Sequence, residues 1–67
     1  MENLNEILKL FQENSLEIEK SGLSQTEFNK IANLLEKAGY ATVHKEEYNN
    51  RYVIIVLNRE GIKAKNK

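Results

Sequence analysis

The sequence offers amide and cationic side chains that could bind a ligand, and it lacks paired acids and bases that could catalyse a reaction. Gln25, Asn29 and Asn33 are spaced i, i+4 and i+8, so a helix would place their amides in one row. Such amides can pair with N6 and N7 of adenine in the DNA major groove, and Lys30 beside them can meet guanine or phosphate. The row therefore predicts contact with double-stranded DNA.

Catalytic and metal-binding chemistry finds little support in the composition. The chain has one His, no Cys and no Asp. His44 alone cannot build a metal site. Glu46 and Glu47 are adjacent in sequence and are not positioned as an acid and a base. There is no glycine-rich phosphate loop. We therefore predict a protein that is not an enzyme and that needs no cofactor or metal.

The length and composition of the chain limit the classes of protein to which it can belong. Its 67 residues allow one domain, and the absence of Cys leaves self-association as the route to extra stability. No apolar run approaches the roughly 20 residues that cross a bilayer, and the N-terminus does not resemble a signal peptide. We expect a soluble cytoplasmic protein with no membrane partner and with a homodimer as one option.

The two ends of the chain differ in charge although the net charge is zero. Residues 1–20 hold five Glu against two Lys, and residues 21–67 hold eight Lys or Arg against five Glu. An anionic partner is therefore expected at the C-terminal two thirds. Nine Asn, eight Lys and no Pro fit AT-rich coding, which suggests a phage, a plasmid or a low-GC bacterium as the source.

Apolar spacing predicts an N-terminal helix over 3–14. Leu4, Ile7, Leu8 and Phe11 form one helical stripe, and Asn3 can cap its start. The pattern lapses near residue 14. Residues 15–20 are then either a short second helix or a continuation of the first, and periodicity alone leaves both open.

The clearest start signal predicts a helix over 24–38. Ser24 and Glu27 form a capping box, and Gly39 can end the helix. The residues expected to face the core are Phe28, Ile31, Leu35 and Ala38. The opposite side then shows the candidate DNA contacts Gln25, Thr26, Asn29, Lys30, Asn33 and Lys37, and Ser24 with the free N–H groups at the helix start can bind a phosphate.

The period changes after Gly39, and two strands are expected over 40–46 and 51–58, joined by a turn at Asn49-Asn50. The second strand is apolar on both faces: Tyr52, Ile54 and Val56 on one side, and Val53, Ile55 and Leu57 on the other. One layer of helices covers only one of these faces. The other face must be covered by the N-terminal helix, by the basic tail 59–67 or by another subunit. We expect the tail to fray at its end.

This order resembles a winged helix-turn-helix: two or three N-terminal helices followed by a two-stranded hairpin wing. The Gly39-Tyr40 junction is similar to the one that follows winged-helix recognition helices. Residues 56–61 look like the motif that ends many wings, Leu-Thr-x-x-Gly, with Asn58 in place of Thr, so a hydroxyl cap for a following helix is missing. The chain also resembles small phage-encoded winged-helix proteins of the YjcQ type.

The resemblance implies an α+β regulator that inserts the 24–38 helix into a major groove and lays the wing on adjacent backbone. A dimer would present two such helices about one DNA turn apart, roughly 34 Å. Glu27, Glu36 and the Glu46-Glu47 pair oppose phosphate contact. The alternative is therefore a winged-helix module that binds a protein, as a homodimer or as an inhibitor of a host protein. The wing residues expected to contact DNA are Lys45, Asn49, Asn50 and Arg51.

Overall fold

A computed structural model describes residues 4–49 and 51–66 of the chain as a small α+β domain. None of the helices in those two ranges has the length and apolarity needed to span a bilayer. The elements in chain order are α1 (Leu4–Leu8), β1 (Ser15–Glu17), α2 (Ile18–Ser21), α3 (Gln25–Lys37), β2 (Ala41–Lys45), β3 (Tyr52–Leu57) and α4 (Arg59–Lys65).

The sheet has three antiparallel strands in the order β1-β3-β2, where the sequence predicted a two-stranded hairpin. The hairpin itself is present, with strands slightly shorter than the expected 40–46 and 51–58. The third strand is β1, in which Leu16 lies opposite Ile55. A continuous apolar strand such as β3 is typical of a central position, since both of its neighbours then shield it.

Residues 4–14 and 15–20 differ from the helices predicted over 3–14 and 15–20, and the predicted cap Asn3 lies outside the described residues. The helix α1 ends at Leu8, although Phe11 still reaches the core at 2% exposure. Leu10 is 46% exposed. The segment from Ser15 begins as a strand because Leu16 is buried between two exposed neighbours, a period of two rather than of 3.6. The short second helix is present as Ile18–Ser21, three residues later than predicted, and the alternative of a continuous first helix was wrong.

The core forms where α3 lies on one face of the sheet. Phe28, Ile31 and Leu35 are buried as predicted, each at 3% exposure or less. Ala38 is exposed at the C-terminal cap, contrary to the prediction, and Ala32, which was not predicted to face the core, is buried six residues earlier. The positions 28, 31, 32 and 35 keep the i, i+3, i+4, i+7 spacing of a helix stripe.

An irregularity in the hairpin moves Tyr52 to the core side of β3. Between His44 and Lys45 the register shifts, so Tyr52 rather than Val53 lies opposite Lys45. Tyr52 then packs against the core instead of sharing a face with Ile54 and Val56 as strict alternation predicts. The Lys45 Nζ atom lies 5.0 Å from the centre of its ring.

The predicted fraying tail is the helix α4, and Asn58 caps it. The Asn58 Oδ1 atom accepts a hydrogen bond from the Gly61 N–H at 2.9 Å, so the cap expected to be missing is supplied by the amide. Asn58 Nδ2 also donates to the Gly39 carbonyl at 2.7 Å, and its backbone N–H donates to the Tyr40 carbonyl at 2.9 Å. The two sequence motifs at residues 39–40 and 58–61 are therefore bonded to each other.

Candidate nucleic-acid interface

The outward face of α3 carries a stripe of four exposed polar residues. Thr26, Lys30, Asn33 and Lys37 follow i, i+4, i+7 and i+11, opposite the buried stripe that holds Phe28. Neither lysine makes an ion pair with another described residue. This outward stripe presents two cations, an amide and a hydroxyl to an incoming ligand.

The predicted row of amides is present, but it holds α3 against the hairpin. Gln25 Nε2 donates to Asn29 Oδ1 at 2.8 Å and to the backbone carbonyl of Tyr52 at 2.9 Å. The Tyr52 hydroxyl donates to Asn33 Oδ1 at 3.0 Å. These bonds link the first and third turns of α3 to β3, so the row helps to fix the angle between α3 and the hairpin.

The amides therefore differ in what they have left to offer a base. Both N–H groups of the half-buried Gln25 amide are engaged, which leaves no donor for adenine N7. Asn33 is exposed and keeps its amino group and one acceptor lone pair. Asn29 is half-buried and its Oδ1 atom already accepts from Gln25, so Asn33 is the most exposed of the three amides.

The start of α3 supplies the cap that the sequence predicts. Ser24 is exposed, and its Oγ atom accepts from the Glu27 N–H at 3.2 Å. Its carbonyl accepts from the Phe28 N–H at 2.9 Å, the first bond of the helix. The N-terminal end of a helix favours an anion, and here it lies at the end of the outward stripe next to Thr26.

The hairpin cations that could bind phosphate already contact other side chains of the protein. Arg51 lies 3.4 Å from Glu46 Oε2, and Asn49 donates to the same oxygen at 3.5 Å. Lys45 lies over the Tyr52 ring, an arrangement that orients its charge without neutralising it. The exposed Arg51 pair costs little to exchange for a phosphate. Asn50, the remaining wing candidate, lies outside the described residues.

Acidic residues border the outward stripe on both sides. Helical geometry places Glu27 on one flank of α3 and Glu36 on the other, both exposed. The charge of the helix is therefore balanced, and the positive field is confined to the line through Lys30 and Lys37. A ligand must approach along that line to gain from it.

Two exposed apolar side chains were not among the predicted contacts. Tyr48, in the hairpin turn, is 91% exposed, and Leu34, on the flank of α3, is 40% exposed. An aromatic residue in an otherwise polar turn is a signal that the sequence carries. An aromatic ring so placed can stack on a base or a sugar.

The basic residues near the C-terminus belong to the folded domain rather than to a free tail. Lys65 Nζ donates to the Glu13 carbonyl at 2.9 Å and closes the loop before β1. Lys63 lies 4.0 Å from Glu60 Oε1. Ile62 and Ala64 of the same helix pack against the core, so α4 is anchored by its apolar side.

The chain was compared with protein-family models, curated proteins and solved structures, and none of them matches it.

Proposed function

We propose that this protein is a small winged-helix DNA-binding regulator that places the outward stripe of α3 in the major groove. The observation that carries the proposal is the stripe itself: Lys30 and Lys37, one on each side of Asn33, on the solvent side of a helix whose other side is core. An α-helix fits the major groove, and lysine and asparagine are among the side chains that read base edges there.

The hairpin supports the same reading because it is fixed beside the helix. The backbone carbonyl of Tyr52 accepts a hydrogen bond from Gln25 Nε2, and the Tyr52 hydroxyl donates one to Asn33 Oδ1. A wing held at a constant angle to α3 can contact backbone while the helix is in the groove. Lys45, Arg51 and Tyr48 are the hairpin side chains placed for such contact.

The proposal is tested by the binding of the double variant Lys30→Gln/Lys37→Gln to a mixed-sequence duplex at several salt concentrations. Each lost phosphate contact lowers the slope of log affinity against log salt by about 0.9. We expect the double variant to bind at least about tenfold more weakly at low salt, and its slope to be shallower by about 2.

The matched control is Lys9→Gln/Lys63→Gln, which removes the same charge from exposed residues outside α3. We expect its slope to stay within about 0.5 of the wild-type value, since neither residue is placed to contact a phosphate. Equal losses in the two variants would show that only overall charge matters and would contradict the proposal.

A second candidate function is a protein-binding module that does not bind DNA. It is favoured by the zero net charge and by Tyr48, whose 91% exposed ring on a loop suits a protein contact. The Arg51–Glu46 pair at 3.4 Å, which neutralises one wing cation, points the same way.

The two functions are separated by capturing binding partners from a bacterial lysate, with and without nuclease treatment, on immobilised wild-type protein and on immobilised Tyr48→Ala. A partner that survives nuclease and is lost with Tyr48→Ala favours the protein-binding module. A partner lost on nuclease treatment favours DNA binding.

A further inference from the structure

The face of the sheet that points away from α3 combines two apolar side chains with polar neighbours. On the central strand β3, Ile54 and Val56 are half-buried and do not belong to the core cluster. Their neighbours across the sheet are polar: Ser15 and Thr42 beside Val56, and Glu17 and His44 beside Ile54. This outer sheet face, defined by those six residues, is an apolar line bordered by one acidic and one imidazole-bearing edge.

The register arranges the outer sheet face in two rows that run across the strands. One row is Ser15–Val56–Thr42, and the next is Glu17–Ile54–His44. Neighbouring strands lie about 4.8 Å apart, so the carboxylate and the imidazole of the second row stand about 10 Å apart on opposite edges. They are too far apart to bond within one molecule.

We propose that two copies of this chain associate through the outer sheet face about a two-fold axis parallel to β3. Rotation about such an axis leaves each row at the same position along β3 and places the β1 edge of one copy over the β2 edge of the other. It places Ile54 on Ile54 and Val56 on Val56 of the second copy. Each Glu17 then meets the His44 of the second copy, twice per dimer. Sheets pack face to face at about 10 Å with strands nearly aligned, a spacing that the two side chains bridge.

Charge complementarity selects this axis over the other in-plane two-fold axis. A two-fold axis across the strands would keep each edge over itself and place Glu17 near Ser15 and His44 near Thr42 of the second copy, so the carboxylate and the imidazole would not meet. An imidazole N–H donates to a carboxylate whether or not the ring is charged, so the Glu17–His44 contact is available in both forms. The zero net charge of the chain leaves little long-range repulsion between copies.

The contact is small, and this sets the expected strength. The outer sheet face offers six side chains, against roughly 20–30 residues per partner in a stable complex, so a weak dimer is expected. The two α3 helices would lie on opposite outer sides of the dimer. That arrangement differs from the side-by-side helices expected from the sequence and leaves each outward stripe open.

The test uses two charge variants, Glu17→Lys and His44→Glu, measured alone and mixed by sedimentation up to about 1 mM protein, the range in which weak complexes populate. In a homodimer of Glu17→Lys the imidazole of His44 faces an ammonium group and has lost its carboxylate acceptor, and in a homodimer of His44→Glu two carboxylates face each other. We expect at least tenfold weaker self-association for each. Mixed, every contact becomes Lys–Glu or Glu–His, so we expect a heterodimer of at least wild-type strength.

A change in folding is separated from a change in association by the thermal unfolding of each variant at low concentration. Both side chains are exposed, and the Glu17 carboxylate makes only a solvent-exposed ion pair with Lys20 at 3.9 Å, which contributes little to stability, so the unfolding temperatures should stay close to wild type. A wild-type protein that is monomeric at the highest concentration would overturn the proposal. So would a dimer that persists in both single variants, or a mixture that fails to pair.

Discussion

Gly61 shows how a single residue joins the two halves of the fold. A Cβ atom there would collide with the Tyr40 carbonyl oxygen and crowd Leu57, whose side chain would be 3.1 Å away. The backbone of α4 therefore approaches the start of β2 more closely than any side chain permits. This explains the glycine in the wing-ending motif by packing, because its φ is not in the left-handed region.

Gly61→Ala should destabilise the protein although alanine is the better helix former. Helix propensity alone predicts a gain of about 0.5–1 kcal/mol, whereas overpacking against a backbone atom costs about 1–3 kcal/mol. We expect the second effect to dominate in urea unfolding. Glu60→Ala, an exposed neighbour in the same helix, is the control and should change the free energy of unfolding little. A more stable Gly61→Ala protein would contradict the close approach.

Gln25 is the residue whose role changed most between sequence and structure. The spacing of the amides predicted the row correctly, but it could not show that the hairpin returns to meet it. That contact depends on the shift at His44 and Lys45, which turns Tyr52 inward. Nothing local in the sequence marks a bulge of this kind, because it is set by how β2 and β3 pack on α3.

Gln25→Glu should lower stability because it replaces both donors with acceptors that face the Tyr52 carbonyl and Asn29 Oδ1. An unsatisfied or repelled polar group of this kind costs about 1–3 kcal/mol. Thr26→Glu is the matched control, since it adds the same charge to the same first turn but points to solvent. Thermal unfolding should place Thr26→Glu at or above wild type and Gln25→Glu well below it.

At the scale of elements, the sequence predicted α3 and the hairpin but not β1 or α4. The first two are marked by long periodic patterns and by Ser24 and Gly39 at the ends of α3. A three-residue strand such as β1 has too few residues to show a period in the sequence. It is stabilised by antiparallel pairing with β3, a contact between distant parts of the chain. The helix α4 was missed because Asn58 was compared with threonine rather than taken as a cap in its own right.

The cap at Asn58 makes α4 the element most sensitive to one substitution. Asn58→Ala removes the cap bond to Gly61 and the bond to the Gly39 carbonyl, and a lost cap costs about 1 kcal/mol. Asn58→Ser keeps a cap acceptor and loses the bond to Gly39 without placing a second oxygen against that carbonyl, so its loss should be smaller. Amide hydrogen exchange in α4 checks the order wild type, then Asn58→Ser, then Asn58→Ala. Equal protection in all three would show that the cap does not hold the helix.

For the whole molecule, the sheet separates two surfaces with different proposed tasks. On one side α3 turns its outward stripe to solvent, and on the other the outer sheet face carries Ile54 and Val56. Because the two surfaces lie on opposite sides, DNA binding and self-association should be separable. The variants Glu17→Lys and Lys30→Gln should each affect one property and leave the other near wild type.

Contact between DNA and the outward stripe of α3 can be measured by titrating isotope-labelled protein with a short duplex and following the backbone amides by NMR. We expect the largest shifts at Thr26, Lys30, Asn33 and Lys37 and in the hairpin turn, with small shifts at Ser15, Thr42 and Val56 on the outer sheet face. Shifts concentrated on the outer sheet face, or none at low salt, would show that α3 does not bind DNA through this stripe.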